Sequence, residues 1–382
     1  MNLREKACGL FPQGAAPGRT GAAAEKGGIA SMTYGHGGDL VSAQLDYHGP
    51  VLDFSANLNP LGAPEAVKRA AARAAAGEAE RYPDPLCRAL RAGIAGTDGV
   101  AAEQVLCGNG AAELIFRLAL ALRPGRALLT APTFSEYEQA LDTVGCRVER
   151  CALDRGRQFD LDEGFLERIV PGVELAFLCN PNNPTGRLID PALLEGALAR
   201  CEQVGAVLAV DECFLGLSDA AGAGLAPLVA GHPRLLLLRA FTKTYAVAGL
   251  RLGYCLCSDG ALLEAMGRCG QPWSVSAPAQ AAGLAALACP RWPEKARALV
   301  AAQRPALARA LEGLGFSVCP GQANYLLFRA PGLPDLKQRL LARGVLIRAC
   351  GNYHGLDEYD YRVCVRTGEE NGRLVDAIRE VR

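Results

Sequence analysis

The sequence predicts an α/β protein: a large layer built on a mostly parallel sheet, followed by a smaller α+β part. Three observations predict it. From about Val105, short and continuous apolar runs alternate with helical patterns, as in strands that are buried on both faces. Turn residues (Gly, Asn, Pro) follow several of these runs directly. Past about Ser276 the pattern changes to long helical stretches with a few strands between them.

The elements follow in order. Residues 1–31 are rich in Ala and Gly and hold no continuous apolar region, which is the composition of a disordered tail and not of a secretory signal. Met32 offers an alternative start. Pro64–Ala76 reads as an Ala-rich helix. Val105–Cys107 is a strand, followed by a Gly turn and a helix over Ala111–Leu122 that Pro124-Gly125 ends. Ala127–Thr130, Glu174–Cys179, Ala206–Val210 and Leu235–Leu238 are strand-like, each bounded by turn or helix signals. Helices fill Phe134–Val144, Asp162–Ile169 and Pro191–Gln203, and later strands fall at Tyr325–Phe328, Val345–Ile347 and Tyr361–Val365. The expected organisation is a tail over 1–31, an arm and part of the small domain over 32–75, a large domain over 76–275 and a small domain over 276–382.

Composition narrows the function classes. Among 382 residues there are 40 basic and 40 acidic side chains, so no basic excess marks a nucleic-acid footprint. No apolar run approaches the ~20 residues that span a bilayer. The 15 cysteines sit in apolar stretches such as Tyr254-Cys255-Leu256-Cys257, where Cys serves as a small hydrophobe, so a reducing cytoplasm is expected. No C-x-x-C pair occurs, and His36, His48, His232 and His354 are not at ligand spacing, so no metal site is expected.

Residues that can carry chemistry gather at the ends of the expected strands, where α/β sheets place their ligands. Gly108-Asn109-Gly110-Ala111-Ala112-Glu113 opens a helix, and its N–H groups suit an anion; a tight turn with no ligand fits that segment equally well. Asn180-Pro181-Asn182-Asn183-Pro184-Thr185-Gly186 is a rigid turn that can hold an Asn toward a ligand. Asp211-Glu212 ends the run Ala206–Val210. Thr242-Lys243 follows Leu235–Leu238, and a lysine so near a buried strand end is usually avoided or paired. Desolvation and a neighbouring positive charge such as Arg251 would depress its pKa, as an amine that attacks carbonyls requires.

Anion cradle, Asn, Asp, Lys and Arg, in that order, resemble the constellation of the fold-type I pyridoxal phosphate (PLP) enzymes. The chain is similar to the aspartate aminotransferase-like superfamily from about His36 to its end. Within it, the chain resembles the branch of cobalamin-pathway threonine-phosphate decarboxylases, neighbours of the histidinol-phosphate aminotransferases. That likeness rests on His36-Gly37-Gly38, Asp53-Phe54-Ser55-Ala56-Asn57-Leu58-Asn59-Pro60-Leu61-Gly62 and Pro272-Trp273-Ser274-Val275. It extends to Ala323-Asn324-Tyr325-Leu326-Leu327, Leu346-Ile347-Arg348, Asn352-Tyr353 and Tyr361-Arg362-Val363.

The resemblance implies roles. Lys243 joins the cofactor aldehyde, Asp211 pairs with the pyridine nitrogen, Asn183 donates to the ring oxygen and Phe134 stacks on the ring. The cofactor phosphate is held by the N–H groups of Asn109 and Gly110, by the Thr242 hydroxyl and by Arg251. Tyr82 matches a tyrosine that reaches this phosphate from a neighbouring subunit, which implies a homodimer. Arg348 and Arg362 resemble substrate clamps for a carboxylate and a phosphate, and His36, Gly37, Asn57 and Asn183 would complete the substrate site. Two positions depart from the wider superfamily: Phe214 stands where many aminotransferases have a Tyr, and Ala240 stands where a Ser is common. The first favours the decarboxylase branch; the second removes one phosphate contact. The implied reaction converts L-threonine O-3-phosphate to (R)-1-amino-2-propanol O-2-phosphate and CO2. The alternative is transfer of an amino group from histidinol phosphate to 2-oxoglutarate.

Overall fold

The computed structural model describes residues 35–382; the tail expected over 1–31 and the alternative start at Met32 lie outside the described residues. The first strand, β1 (Leu52–Asp53), follows a short helix, Leu40–Asp46, capped by the Asp39 carboxylate, which accepts the Ser42 N–H at 3.0 Å. The apolar runs then form β2 (Val105–Gly108), β3 (Arg126–Ala131), β4 (Arg147–Ala152), β5 (Leu175–Cys179), β6 (Val207–Asp211), β7 (Leu235–Ala240) and β8 (Gly253–Leu256). These seven make one sheet in the order β2-β8-β7-β6-β5-β3-β4. All its pairs are parallel except those of β8, which runs antiparallel to both β2 and β7.

Alternating side chains of these strands feed two cores, one on each face. Leu208, Val210 and Leu237 pack with Leu90, Ile94, Leu194 and Leu198 of helices Arg88–Asp98 and Pro191–Val204. Val207, Ala209, Leu236 and Leu238 pack on the other face with Leu114, Leu118, Leu141 and Met266 of helices Gly110–Leu122, Ser135–Asp142 and Gly260–Arg268. Each fully buried Leu contributes roughly 1.5–3 kcal/mol relative to exposure, so two such faces fix the register of the central strands. Helices Glu65–Glu78 and Ala277–Leu287 pack together and add Val67, Ala279, Ala282 and Ala286 to the first of these cores, although the first lies mostly and the second wholly outside the 76–275 stretch expected for the large domain.

The later strands are β9 (Ser317–Val318), β10 (Tyr325–Arg329), β11 (Val345–Leu346), β12 (Arg348–Ala349) and β13 (Asp360–Cys364). Four of them form an antiparallel sheet, β12-β13-β10-β9, while β11 pairs in parallel with β1. Leu307, Leu311, Phe316, Phe328, Tyr361, Leu374 and Ile378 form the core beneath, between helices Arg291–Gly313 and Gly368–Val381.

Two local expectations change. The helix expected over Asp162–Ile169 spans only Gly164–Glu167, because the Asp162 carboxylate accepts the Gly164 N–H at 3.0 Å and turns the chain there. The strand expected over Val345–Ile347 ends at Leu346, and the chain changes sheets across Ile347. Five strands go beyond the sequence reading: the two-residue β1, β9 and β12, and two longer ones, β4, an edge strand bearing Arg147, Glu149 and Arg150, and β8, the antiparallel member.

Candidate active site

The carboxyl ends of the parallel strands open on one cavity of about 310 Å³. β6 ends in Asp211, β5 leads into the Asn180–Gly186 turn, and β7 leads into the short helix Phe241–Thr244 that carries Lys243. From the antiparallel sheet come Arg348 on β12 and Arg362 on β13, and from the arm come His36 and Gly37. The cavity is lined by His36, Gly37, Asn57, Phe134, Asn183, Asp211, Thr242, Lys243, Arg251, Arg348 and Arg362, most of the residues the sequence singled out.

Lys243 is the candidate nucleophile. Burial, with the Arg362 and Arg251 guanidiniums beside it, pushes its ammonium down to about 8. Its Nζ stands 5.5 Å from the centre of the Phe214 ring. The segment is held from the arm side: the Asn59 N–H donates to the Lys243 carbonyl at 3.1 Å and the Asn59 amide donates to the Thr244 carbonyl at 2.8 Å. Asp211 is buried with a fixed orientation, accepting from the Tyr137 hydroxyl at 2.7 Å and from the Cys213 N–H at 2.9 Å.

Arg348 and Arg362 face each other in register across β12 and β13, and both are buried. Arg348 donates to the Ala349 carbonyl and the Asn352 side-chain oxygen, each at 2.7 Å. Arg362 donates to the Asn183 side-chain oxygen and, at 2.9 Å, to the Ser55 carbonyl. Among the described residues neither makes a salt bridge to a carboxylate. Like charges placed directly opposite on neighbouring strands repel, and buried charges are normally paired, so this pair asks for anionic groups from outside the chain. Asn57 makes a similar request: its amide nitrogen and oxygen are both buried without a hydrogen-bond partner, in the wall of the cavity.

The anion cradle differs in detail from the expectation. The Asn109 N–H is already taken by the Glu113 carboxylate at 2.5 Å, and the cavity is lined by Ala111 and Ala112 and not by Asn109 or Gly110. Gly110 instead provides space. It has φ +78°, and a Cβ there would lie 2.7 Å from Arg251 Nη2. Gly253, opposite it, would bring a Cβ to 2.4 Å from the Ala111 nitrogen. Only glycine at both places lets the Arg251 guanidinium lie against the helix start, leaving Arg251, the Thr242 hydroxyl and the first-turn amides around one pocket corner. Thr242 Oγ1 meanwhile donates to the Leu252 carbonyl at 3.4 Å.

Tyr82 lies outside the cavity lining. It is 79% exposed and stacks on Trp273 with ring centres 4.3 Å apart. Several lining or supporting residues have no role in the sequence reading: Tyr137, Glu136, Ser55 and Tyr353. Tyr137 follows Phe134 by three positions, one helical turn, which is the only hint the sequence holds.

These residues fit PLP. Lys243 supplies an amine with a lowered pKa, Asp211 an oriented carboxylate and Phe134 an aromatic face, while the glycine-lined corner with Arg251 suits a phosphate.

Comparison with known proteins agrees. The family model for aminotransferase class I and II matches residues 49–378. The chain is 39% identical to a threonine-phosphate decarboxylase of Salmonella typhimurium over 358 residues, covering 92% of this chain and 98% of the relative. It is 37% identical to a histidinol-phosphate aminotransferase of Symbiobacterium thermophilum, covering 89% and 92% of the two chains. The crystal structure of the histidinol-phosphate aminotransferase from Clostridium acetobutylicum superposes with a TM-score of 0.80 at 26% identity, covering 87% of this chain and 99% of that one.

Proposed function

The chain belongs to the class I and II aminotransferase family, and on that premise we propose that it is a PLP-dependent decarboxylase of L-threonine O-3-phosphate. The products are CO2 and (R)-1-amino-2-propanol O-2-phosphate, which serves cobalamin side-arm synthesis. The fold is the aspartate aminotransferase-like fold of the fold-type I PLP enzymes, and the cofactor is PLP. The observation that carries the reading is the pair Arg348 and Arg362, buried side by side without a carboxylate. A phospho-amino acid brings two anionic groups to such a pair, and likeness to the Salmonella enzyme over nearly its whole length supports that substrate.

When bound, PLP would supply an electron sink for decarboxylation. This chain's residues do the rest. Asp211, held by Tyr137 and Cys213, keeps a carboxylate oxygen oriented for the pyridine nitrogen. Phe134 and Asn183 would flank the ring, while Thr242, Arg251 and the first-turn amides after Gly110 would take the cofactor phosphate. Arg348, Arg362, Asn57, Gly37 and His36 bind the substrate's anionic groups. A grip on the distant phosphate supplies binding energy that orients the substrate's carboxylate for departure. Lys243, its ammonium brought down to about 8, is a group able to deliver a proton to Cα. Phe214 puts an aromatic face without a hydroxyl beside that amine.

A homodimer is supported by Tyr82, which projects from the chain on the Trp273 platform and would meet the phosphate corner of a second copy. A cytoplasmic setting is supported by the free thiols throughout the core, among them Cys179, Cys201, Cys255 and Cys364. The second catalytic reading, histidinol-phosphate aminotransferase, is favoured by the 37% relative and by the superposed structure. Incubating the holoenzyme with O-phospho-L-threonine alone, and separately with histidinol phosphate and 2-oxoglutarate, decides between them. Gas from the first mixture supports decarboxylation; glutamate from the second without gas from the first overturns it.

A further inference from the structure

The cavity for a doubly anionic substrate contains a carboxylate that the mechanism above does not use. Glu136 lines it, only 12% exposed, with Oε1 2.7 Å from His36 Nε2. Its other oxygen has only the Ser135 hydroxyl, at 3.5 Å, and His36 is its one basic partner among the described residues. A carboxylate facing incoming phosphate repels it, so its oxygen has to be turned toward a partner within the chain.

The arm explains the commitment. Gly37 is wedged against the turn after β1, since a Cβ there would lie 2.0 Å from the Ser55 carbonyl oxygen. The Gly38 N–H donates to Ser55 Oγ at 2.7 Å, and that hydroxyl donates to Asp53 at 2.6 Å. One side of the arm is therefore pinned to the turn that presents Asn57. The other side, the His36 ring, reaches the start of helix Ser135–Asp142, edge-on to Phe134 at 6.3 Å and bonded to Glu136. With Nε2 engaged by Glu136, the ring has one orientation across the cavity mouth, and its opposite edge is left for a ligand.

We propose that Glu136 is a positioning residue of the substrate-phosphate subsite: by fixing the His36 imidazole across the mouth it sets the preference for phosphorylated over phosphate-free amines. This rests on the reading above that His36 faces the substrate's phosphate. The rival role is a purely local one, an acidic residue in the first turn of a helix that favours negative charge. A local role changes stability without touching ligand preference.

The test uses the holoenzyme and two amines with no carboxylate to lose: (R)-1-amino-2-propanol O-2-phosphate and 1-amino-2-propanol. Their affinities are read from the change in cofactor absorbance. Wild-type protein prefers the phosphorylated amine. In Glu136→Ala that preference falls about tenfold, the scale of one lost hydrogen bond to a charged group, while binding of the phosphate-free amine and the cofactor band stay unchanged. Glu136→Gln keeps an oxygen acceptor for Nε2–H and restores the preference. His36→Ala alone and together with Glu136→Ala lose the same amount, since one residue acts through the other. If Glu136→Ala does not hold PLP, Glu136→Asp, shortened by one methylene, carries the same readout. A preference retained in the Ala variant, equal losses for both amines, a Gln variant as poor as Ala, or losses that add to those of His36→Ala overturns the proposal. A wild-type protein without the preference overturns instead the decarboxylase reading beneath it.

Discussion

The Tyr137 hydroxyl donates to Asp211 Oδ2 at 2.7 Å, joining the helix after β3 to the end of β6. Tyr137 is fully buried and stacks on Phe177 with centres 4.7 Å apart. Burial, with the Asp211 charge beside it, pushes its phenol well above the ordinary tyrosine range, so it remains a donor at all working pH values. Asp211 is thereby held by a hydroxyl on one oxygen and the Cys213 N–H on the other.

Tyr137→Phe removes one of those donors and keeps the ring. The expected result is a kcat lowered about tenfold, since a hydrogen bond to a charged group contributes roughly 1.5–3 kcal/mol. Steady-state kinetics at saturating PLP measures it; an unchanged kcat contradicts the role given to Asp211's orientation.

Lys243→Ala should abolish activity and the visible band of the bound cofactor, and borohydride should fix no pyridoxyl group to that variant; a variant that keeps either contradicts the role given to Lys243. In the apoprotein the neutral amine attacks the aldehyde, so the rate of PLP uptake should climb with pH and level off above about 8. A lysine with its ordinary pKa would still be climbing near pH 10. The stability sign follows. A folded pKa below the unfolded one means that this group lowers apoprotein stability below about 8, and that the penalty fades as pH rises toward the unfolded value. Lys243→Met should therefore melt higher than the wild-type apoprotein at pH 7, as calorimetry would show.

After burial itself, Arg362 is the charge that depresses Lys243 most. Arg362→Gln should move the pH midpoint of PLP uptake upward, and should lower kcat/KM about a hundredfold by removing one fork of the clamp. A midpoint left near 8 would show that burial alone sets the amine.

Gly110→Ala places a methyl group 2.7 Å from Arg251 Nη2, at a φ of +78° that a side chain rarely adopts. PLP affinity should fall more than about tenfold, read by cofactor release on gel filtration or by equilibrium dialysis. Unchanged affinity would mean that Arg251 does not need that corner.

Lys243, Asp211 and Asn183 were legible because each follows a continuous apolar run, and a polar group at the end of a buried strand has few structural reasons to be there. The parallel sheet was legible for the same reason. β4 was hidden by Arg147, Glu149 and Arg150, charges that protect an edge strand yet read as solvated loop. The change of sheet at Ile347 has no local signal, since it depends on β1 pairing with β11 across nearly the whole chain. Glu113's capture of the Asn109 N–H was also invisible, because a carboxylate at a helix start reads the same whether or not it competes with a ligand. Glu136 and Tyr137 escaped because their partners, His36 and Asp211, are remote in sequence.

The central claim is that the substrate loses its carboxyl carbon in the cavity where Arg348 and Arg362 meet Lys243. The most direct measurement uses O-phospho-L-threonine labelled at the carboxyl carbon, given to the PLP-loaded enzyme without any 2-oxo acid. The account predicts labelled CO2 and unlabelled 1-amino-2-propanol O-2-phosphate in equal amounts over many turnovers. Label retained in the organic products, or turnover that begins only when 2-oxoglutarate is added, would contradict it.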